Sequence, residues 1–205
     1  MVIGITGGSG SGKSLASRYL SARGGILIDC DKVYAALVDS PSKCTLAIAD
    51  AFGNEVLKAD GSLDRSKLSE IVFKHKNKDK LQLLNETVHP MVINEVERIL
   101  RAEENSNAPY FLIDAPQLFE AGADRLCDCT VYVTADKFKR FERILERDNI
   151  TMSAAMRRVA SQHTDEFFKS KCDHIVYNNG TEEELKAECD KLLDSLGIHQ
   201  IGTQI

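Results

Sequence analysis

No stretch of the chain stays apolar for the roughly 18–20 residues that a membrane-spanning helix requires. No two cysteines stand in a C-x-x-C spacing, and no excess of basic residues offers a general surface for nucleic acid. Each absence excludes a class. Membrane-embedded functions drop out first. The six cysteines (Cys30, Cys44, Cys127, Cys129, Cys172 and Cys189) are scattered, and the close pair Cys127/Cys129 has no second pair with which to hold zinc. They read as reduced thiols of a cytosolic protein. With 26 Lys and Arg against 31 Asp and Glu the net charge is −5, so a duplex nucleic acid, bound mainly by neutralising its phosphates, is not an expected partner. The opening residues MVIGIT lack the basic-then-apolar signature of a secretory leader, which adds to the expectation of a cytoplasmic location. Internal repeats and low-complexity segments are missing too. What remains is a 205-residue chain, 43% hydrophobic and 28% charged, an ordinary globular composition long enough to bury about 70% of its unfolded surface.

Short apolar runs alternate with longer amphipathic stretches, the pattern of a five-stranded parallel sheet with helices on both faces. Predicted strands are 2–6, 26–28, 110–113, 130–133 and 174–177, brief and β-rich as befits strands buried on both sides. The first three end at Gly7, Asp29 and Asp114, and ligands of open α/β sheets gather at such carboxyl ends. Between the second and third strands lies an insertion, 32–107, too long for a single crossover helix. Helices are predicted at 33–38, 45–52 and 65–73, followed by Leu81, Leu84 and Val88, then Val92, Val96, Ile99 and Leu100, at helical spacing. Pro90 is expected to break this last pattern or to start its second half. Asp60-Gly61 and 105–109 read as turns, and the tail from Gly197 is predicted to be disordered. A second insertion, 136–171, holds nine Lys and Arg against six Asp and Glu, so it is locally positive on an acidic chain.

The strongest signal is Gly7-Gly8-Ser9-Gly10-Ser11-Gly12-Lys13-Ser14, a full match to G-x-x-x-x-G-K-[ST] between a predicted strand and a predicted helix. The glycines let the backbone wrap so that successive N–H groups converge on phosphate oxygens. The helix that follows adds its dipole and unpaired amides. Lys13 supplies a point charge to the terminal phosphates, and the Ser14 hydroxyl is the expected Mg²⁺ ligand. Gly8, Gly10, Ser11, Gly12, Lys13 and Ser14 are therefore the candidate ATP-binding residues. Guanine-nucleotide switches are excluded: 114–117 reads D-A-P-Q rather than D-x-x-G, and the N-K-D-K run at 77–80 carries its acid one place early.

A small kinase acting on a small molecule fits these features best, with Asp29 and Asp31 as its acids at the end of the second strand. In an extended segment, residues two apart share a face, here the one toward the cradle. A kinase uses an acid there to accept or orient the proton of the attacking hydroxyl. Asp31 could instead cap the following helix. Asp114 suits Mg²⁺ or a strand-end cap. Two rivals stand beside the reading: a kinase of nucleoside monophosphates, and a nucleotide-dependent regulatory protein with no acceptor.

GITGGSGSGKS followed by LIDCDKVYAALV resembles the opening of the dephospho-CoA kinase family. The likeness continues through Asp60 to Arg65, His89-Pro90, the run D-A-P-Q-L-F-E from Asp114, R-I-L-E-R-D from Arg143, R-V-A-S-Q from Arg158, and Asn178-Asn179-Gly180. It spans nearly the whole chain. The resemblance implies a P-loop kinase fold with a core at 1–31, 108–135 and 172–205, a helical acceptor-binding insertion at 32–107 and a lid at 136–171. It further implies transfer of the ATP γ-phosphoryl group to the ribose 3′-hydroxyl of 3′-dephospho-CoA. Asp31 becomes the catalytic base, Gly10 to Leu15 fall on the ATP-binding loop, His89 and Pro90 fall in the acceptor site, and Asn178 falls near the ATP base. The chain departs from the family pattern at Ser9, Leu15 and Gln117, none of which removes a charged participant. Arg140, Arg143 and Arg147 share one face of a predicted helix, with Phe138, Phe141 and Leu145 on another. Arg140 and then Arg143 are the expected lid cations on the transferring phosphoryl group, against the alternative of a solvated face paired with Glu142, Glu146 and Asp148. The Leu185, Leu192, Leu193 and Leu196 stripe reads as core.

Overall fold

A computed structural model describes residues 1–73, 78–104 and 106–198. The start of the N-K-D-K run at residue 77, the start of the turn at 105 and the tail from 199 onward lie outside the described residues. The strands are β1 (Val2–Thr6), β2 (Ile26–Asp29), β3 (Phe111–Asp114), β4 (Cys129–Thr134) and β5 (His174–Tyr177). They form one parallel five-stranded sheet in the order β2-β3-β1-β4-β5. β1 lies at its centre, with Ile5 in register with Asp114 on one side and Val131 on the other. The chain divides into two compact units, Met1–Leu27 with Ser106–Phe119 and Ala123–Ile205, and Ile28–Asn105 with Glu120–Gly122.

In the first unit the period-two alternation of the strands sorts side chains onto two faces. Ile3, Ile5, Leu112, Val131, Val133 and Val176 pack against Ala16 and Leu20 of α1 (Lys13–Ala22) and against Leu185, Cys189, Leu192 and Leu193 of α9 (Glu182–Ser195). The C-terminal leucine stripe is thus core, with Leu196 half-buried at its end. Tyr132, between Val131 and Val133 on β4, points the other way and stacks on Phe168 of α8 (Asp165–Lys171) at 4.8 Å between ring centroids. Threonine hydroxyls begin three helices: Thr151 caps α7 (Met152–Ala160), Thr164 caps α8, and Thr181 with Glu184 forms a capping box on α9. Each satisfies amides that the first turn leaves without partners.

On α6 (Lys137–Asp148) the expected division of faces is only half right. Phe141 and Ile144 are buried against Ala155, whereas Phe138 is 83% exposed and Arg140 is buried at 6%. Packing against α7 selects the Phe141/Ile144 side, and Phe138, in the first turn, projects past it. Arg140 is drawn inward by polar partners described below.

The second unit is helical. It comprises α2 (Cys30–Val38), α3 (Lys43–Phe52), α4 (Arg65–Phe73) and α5 (Lys78–Ala102), around a core that includes Val38, Ile48, Val56, Leu63, Leu68, Val72 and Val88. Ser42 and Thr45 close a capping box at the start of α3. Pro90 neither breaks nor restarts a helix: it lies inside the single 25-residue α5. Its ring removes one backbone donor, the one that would reach the carbonyl of Glu86. That loss is local, while Val88, Val92 and Val96, four residues apart, bury one continuous face across the proline.

Ile5, with no exposed surface on the central strand, sets the scale for the sheet core. We expect Ile5→Ala to destabilise the protein by about 2–5 kcal/mol, read as a lowered midpoint in urea denaturation followed by circular dichroism.

Candidate functional site

The loop after β1 is shaped by two glycines in the left-handed region, Gly10 at φ 77° and Gly12 at φ 88°, conformations that carry a steric penalty for any residue with a Cβ. A Cβ at Gly12 would also collide with the carboxamide of Asn178, and one at Gly10 with the backbone of Arg140. Among the described residues, the Gly10, Gly12 and Ser14 amides make no hydrogen bond. α1 begins immediately after Gly12, with no side chain capping it. A short loop therefore presents unpartnered N–H groups and the positive end of a helix, the requirements of an anion site.

The Gly10 and Gly12 amides share their peptide planes with the Ser9 and Ser11 carbonyls, which are occupied, while the Gly10 carbonyl shares its plane with the Ser11 amide, which donates to Gly8 O at 3.1 Å. Three successive loop carbonyls each accept a side-chain donor. Ser9 O is reached by Arg140 Nε at 3.0 Å, Gly10 O by Arg143 Nη1 at 3.3 Å and Ser11 O by Asn178 Nδ2 at 2.9 Å. Arg143 also donates to the carbonyl of Asn178 at 3.1 Å, and the Asn178 amide donates to Thr134 O at 2.7 Å. Arg140 pairs with Asp165 at 3.0 Å, whose Oδ1 also accepts the Tyr132 hydroxyl at 2.6 Å. Burial, then the hydrogen bond to Asp165, push the Tyr132 phenol well above its ordinary range, so it remains a donor at any physiological pH. Arg147, by contrast, forms a bidentate pair with Asp148, and Arg158 joins the same carboxylate. Arg147 and then Arg158 hold Asp148 down to a pKa of about 2. The solvated-face alternative thus describes Arg147, while Arg140 and Arg143 are built into the loop.

Lys13 reaches back across β1 and makes an ion pair with Asp114 at the end of β3. Asp114 is 5% exposed, so a cation beside it removes the penalty of burying a lone carboxylate. Ser14 is exposed, and Leu15 packs half-buried on the sheet core.

In the second unit the acids do not share an extended face, because α2 starts at Cys30. Asp29 takes the cap, accepting from the Lys32 amide at 3.1 Å. Asp31 stands in the first helical turn, exposed. Two residues spaced for one face of a strand are turned about 200° apart once the chain coils. The cap alternative therefore belongs to Asp29 and not to Asp31. His89 is half-buried and Pro90 exposed on α5.

Gln162 and Asp165 complete the network around the loop, and sequence reasoning passed over both as functional residues. Gln162 was visible only as the last letter of R-V-A-S-Q, and Asp165 only as one of the six acids of the 136–171 segment. The cysteines add no site. Burial raises Cys172 to about 11 and Cys189 to about 12, which suits inert thiols. Among the described residues no group of three or more His, Cys, Asp or Glu could hold a metal, and no helix is long and apolar enough to cross a membrane.

Comparison with known proteins sharpens this picture. Residues 1–184 match the family model described as dephospho-CoA kinase. The dephospho-CoA kinase of Corynebacterium glutamicum is 38% identical over 191 residues, covering 93% of this chain and 94% of the relative. That of Fusobacterium nucleatum is 36% identical over 196 residues, covering 96% and 98%. Among solved structures, TT1252 from Thermus thermophilus superposes with a TM-score of 0.77 at 26% identity, covering 96% of this chain and 97% of that one.

The loop geometry can be tested at one atom. Gly12→Ala forces a left-handed alanine and drives its methyl group into Asn178. We expect nucleotide affinity, measured by titration calorimetry, to fall by at least about tenfold.

Proposed function

The chain belongs to the dephospho-CoA kinase family, and we propose from that premise how its residues carry out ATP-dependent phosphorylation of dephospho-CoA in coenzyme A biosynthesis. The observation that carries the reading is the loop at Gly7–Ser14, in which the Gly10, Gly12 and Ser14 amides stand open while the Ser9, Gly10 and Ser11 carbonyls are held by side chains.

The ATP polyphosphate lies along Gly8, Gly10, Ser11, Gly12, Lys13 and Ser14, with Leu15 continuing the helix beneath them. Lys13 neutralises charge on the terminal phosphates. Arg140, paired with Asp165, and Arg143 hold their guanidinium groups on the loop carbonyls and, through the loop, lower the energy of the charge spread over the transferring group. Asn178 backs the loop and stands at the end of β5, a suitable position for limiting how the adenine end can lie. The remaining 136–171 residues act as a lid that keeps water away from the donor.

The helical second unit takes the acceptor, with His89 and Pro90 lining its site and Asp31 accepting the proton of the ribose 3′-hydroxyl. Asp31 is exposed in the first turn of α2, whereas the Asp29 carboxylate caps that helix. Mg²⁺ fits the donor set at the loop. The Ser14 hydroxyl and the Asp114 carboxylate are hard oxygen ligands, and this ion is ordinarily held by one or two carboxylates plus phosphates and water. When bound it supplies charge neutralisation on the phosphate oxygens. The soluble small molecules ATP and 3′-dephospho-CoA are then the only partners this chemistry needs, and the cytoplasm supplies both.

Radiolabelled ATP offered with a panel of acceptors tests the reading. We expect label in coenzyme A and little in nucleoside monophosphates. Preference for a monophosphate, or hydrolysis untouched by any acceptor, would point to the two rivals instead. Asp31→Asn should lose turnover by about 10²-fold or more while ATP affinity stays within a few-fold; an unchanged kcat removes Asp31 from the chemistry. Lys13→Ala should impair both ATP binding and rate.

A further inference from the structure

All three polar groups of Ser9 are taken by residues of the 136–171 segment. Its carbonyl accepts from Arg140 Nε at 3.0 Å, its amide donates to Gln162 Oε1 at 3.0 Å, and its hydroxyl accepts from Gln162 Nε2 at 3.1 Å. The carboxamide of Gln162 thus meets one residue through both of its ends, an acceptor to the amide and a donor to the hydroxyl. Arg140 Nη2 makes a longer contact with the same Oε1 at 3.5 Å. The fit extends to the neighbouring residue: a Cβ added at Gly8 would come within 3.0 Å of Gln162 Oε1 and would strike the Arg140 guanidinium. Gln162 is itself fixed in place. Its amide donates to Val159 O at 3.2 Å as α7 ends, and a few residues later Asp165 is tied to both Arg140 and Tyr132.

Ser9 is flanked by Gly8 and Gly10, and glycine-rich backbone loses more conformational freedom on ordering than any other. A loop of this kind holds one shape only where something outside it supplies the contacts. Ser9 is the residue of the Gly7–Gly10 run with a side chain to offer, and Gln162 reads that side chain and its amide together.

We propose that Gln162 is a positioning residue for the phosphate loop: by engaging the amide and hydroxyl of Ser9, it orders the loop when the 136–171 segment is docked. The residue touches no reacting atom and acts through Ser9. Loop order and docking of the segment thereby become one event, and the ordering entropy is lost before the nucleotide arrives. The proposal rests on the reading that this loop binds ATP.

The test is a double-mutant cycle in the full chain on Ser9→Ala and Gln162→Met, the latter close in volume but unable to form either hydrogen bond. Titration calorimetry gives Kd for ATP without relying on turnover, and steady-state kinetics with dephospho-CoA gives KM and kcat for each substrate. Each single variant should weaken ATP binding about 3- to 10-fold. KM for dephospho-CoA should stay within about twofold, and the double variant should bind no more weakly than the worse single one. Ser9→Thr, which keeps all three polar groups, should stay near wild type. Multiplying effects in the double variant, or an unchanged Kd for Gln162→Met, overturns the positioning role. A uniform loss of both substrates together with a lowered melting temperature overturns it as well, since that is the signature of general structural damage. The wild-type protein separates the two readings: ATP binding without transfer to dephospho-CoA sinks the assigned activity and leaves the cycle interpretable. Wild-type transfer with multiplying effects sinks only the role of Gln162.

Discussion

A peptide plane has two edges, and amides can be aimed at an anion only if the carbonyls they carry are satisfied elsewhere. The rest of this structure depends on meeting that constraint at Ser9, Gly10 and Ser11, whose carbonyls accept from Arg140, Arg143 and Asn178 in turn. The donors come from α6 and from the end of β5, segments more than a hundred residues away in the chain. The central strands bring them together: β1 delivers the loop, β4 leads into α6, and β5 ends at Asn178. The parallel order of the sheet therefore does more than support the site. It sets which edge of the loop is covered and which is left for a ligand.

The same arrangement explains why a locally positive segment is attached to an acidic protein. Its cations do not act alike. Arg140 and Arg143 are consumed by backbone oxygens, and Arg147 and Arg158 by Asp148. Asp165 in turn receives both Arg140 and Tyr132. Arg140 is buried, so its contacts are stronger than they would be on the surface, whereas the Arg147 and Arg158 pairs with Asp148 are exposed; the segment is organised by specific partners more than by net charge.

Much of this was legible in the sequence. The strands could be read because buried parallel strands leave short β-rich runs, and the loop because its glycines are required by backbone geometry. The phosphate motif and the leucine stripe of α9 followed the same logic. What could not be read depended on contacts between distant parts of the chain. Pro90 looked like a break because local rules do not register that Val88, Val92 and Val96 hold the helix together across it. Asp29 and Asp31 looked like a pair on one face because spacing does not reveal where a strand gives way to a helix. Phe138 was grouped with Phe141 and Arg140 with Arg147 for a similar reason: periodicity finds two faces but does not say which positions meet a neighbour. Gln162 was legible only as a letter in a family pattern, since its meaning lies in Ser9, 153 residues away.

The ion pair between Lys13 and Asp114 carries one more consequence. Before any ligand arrives, the floor of the loop is already electrically balanced. A bare anion that drew the ammonium toward itself would strand a carboxylate with almost no access to water, whereas an anion accompanied by its own counter-ion leaves every charge matched.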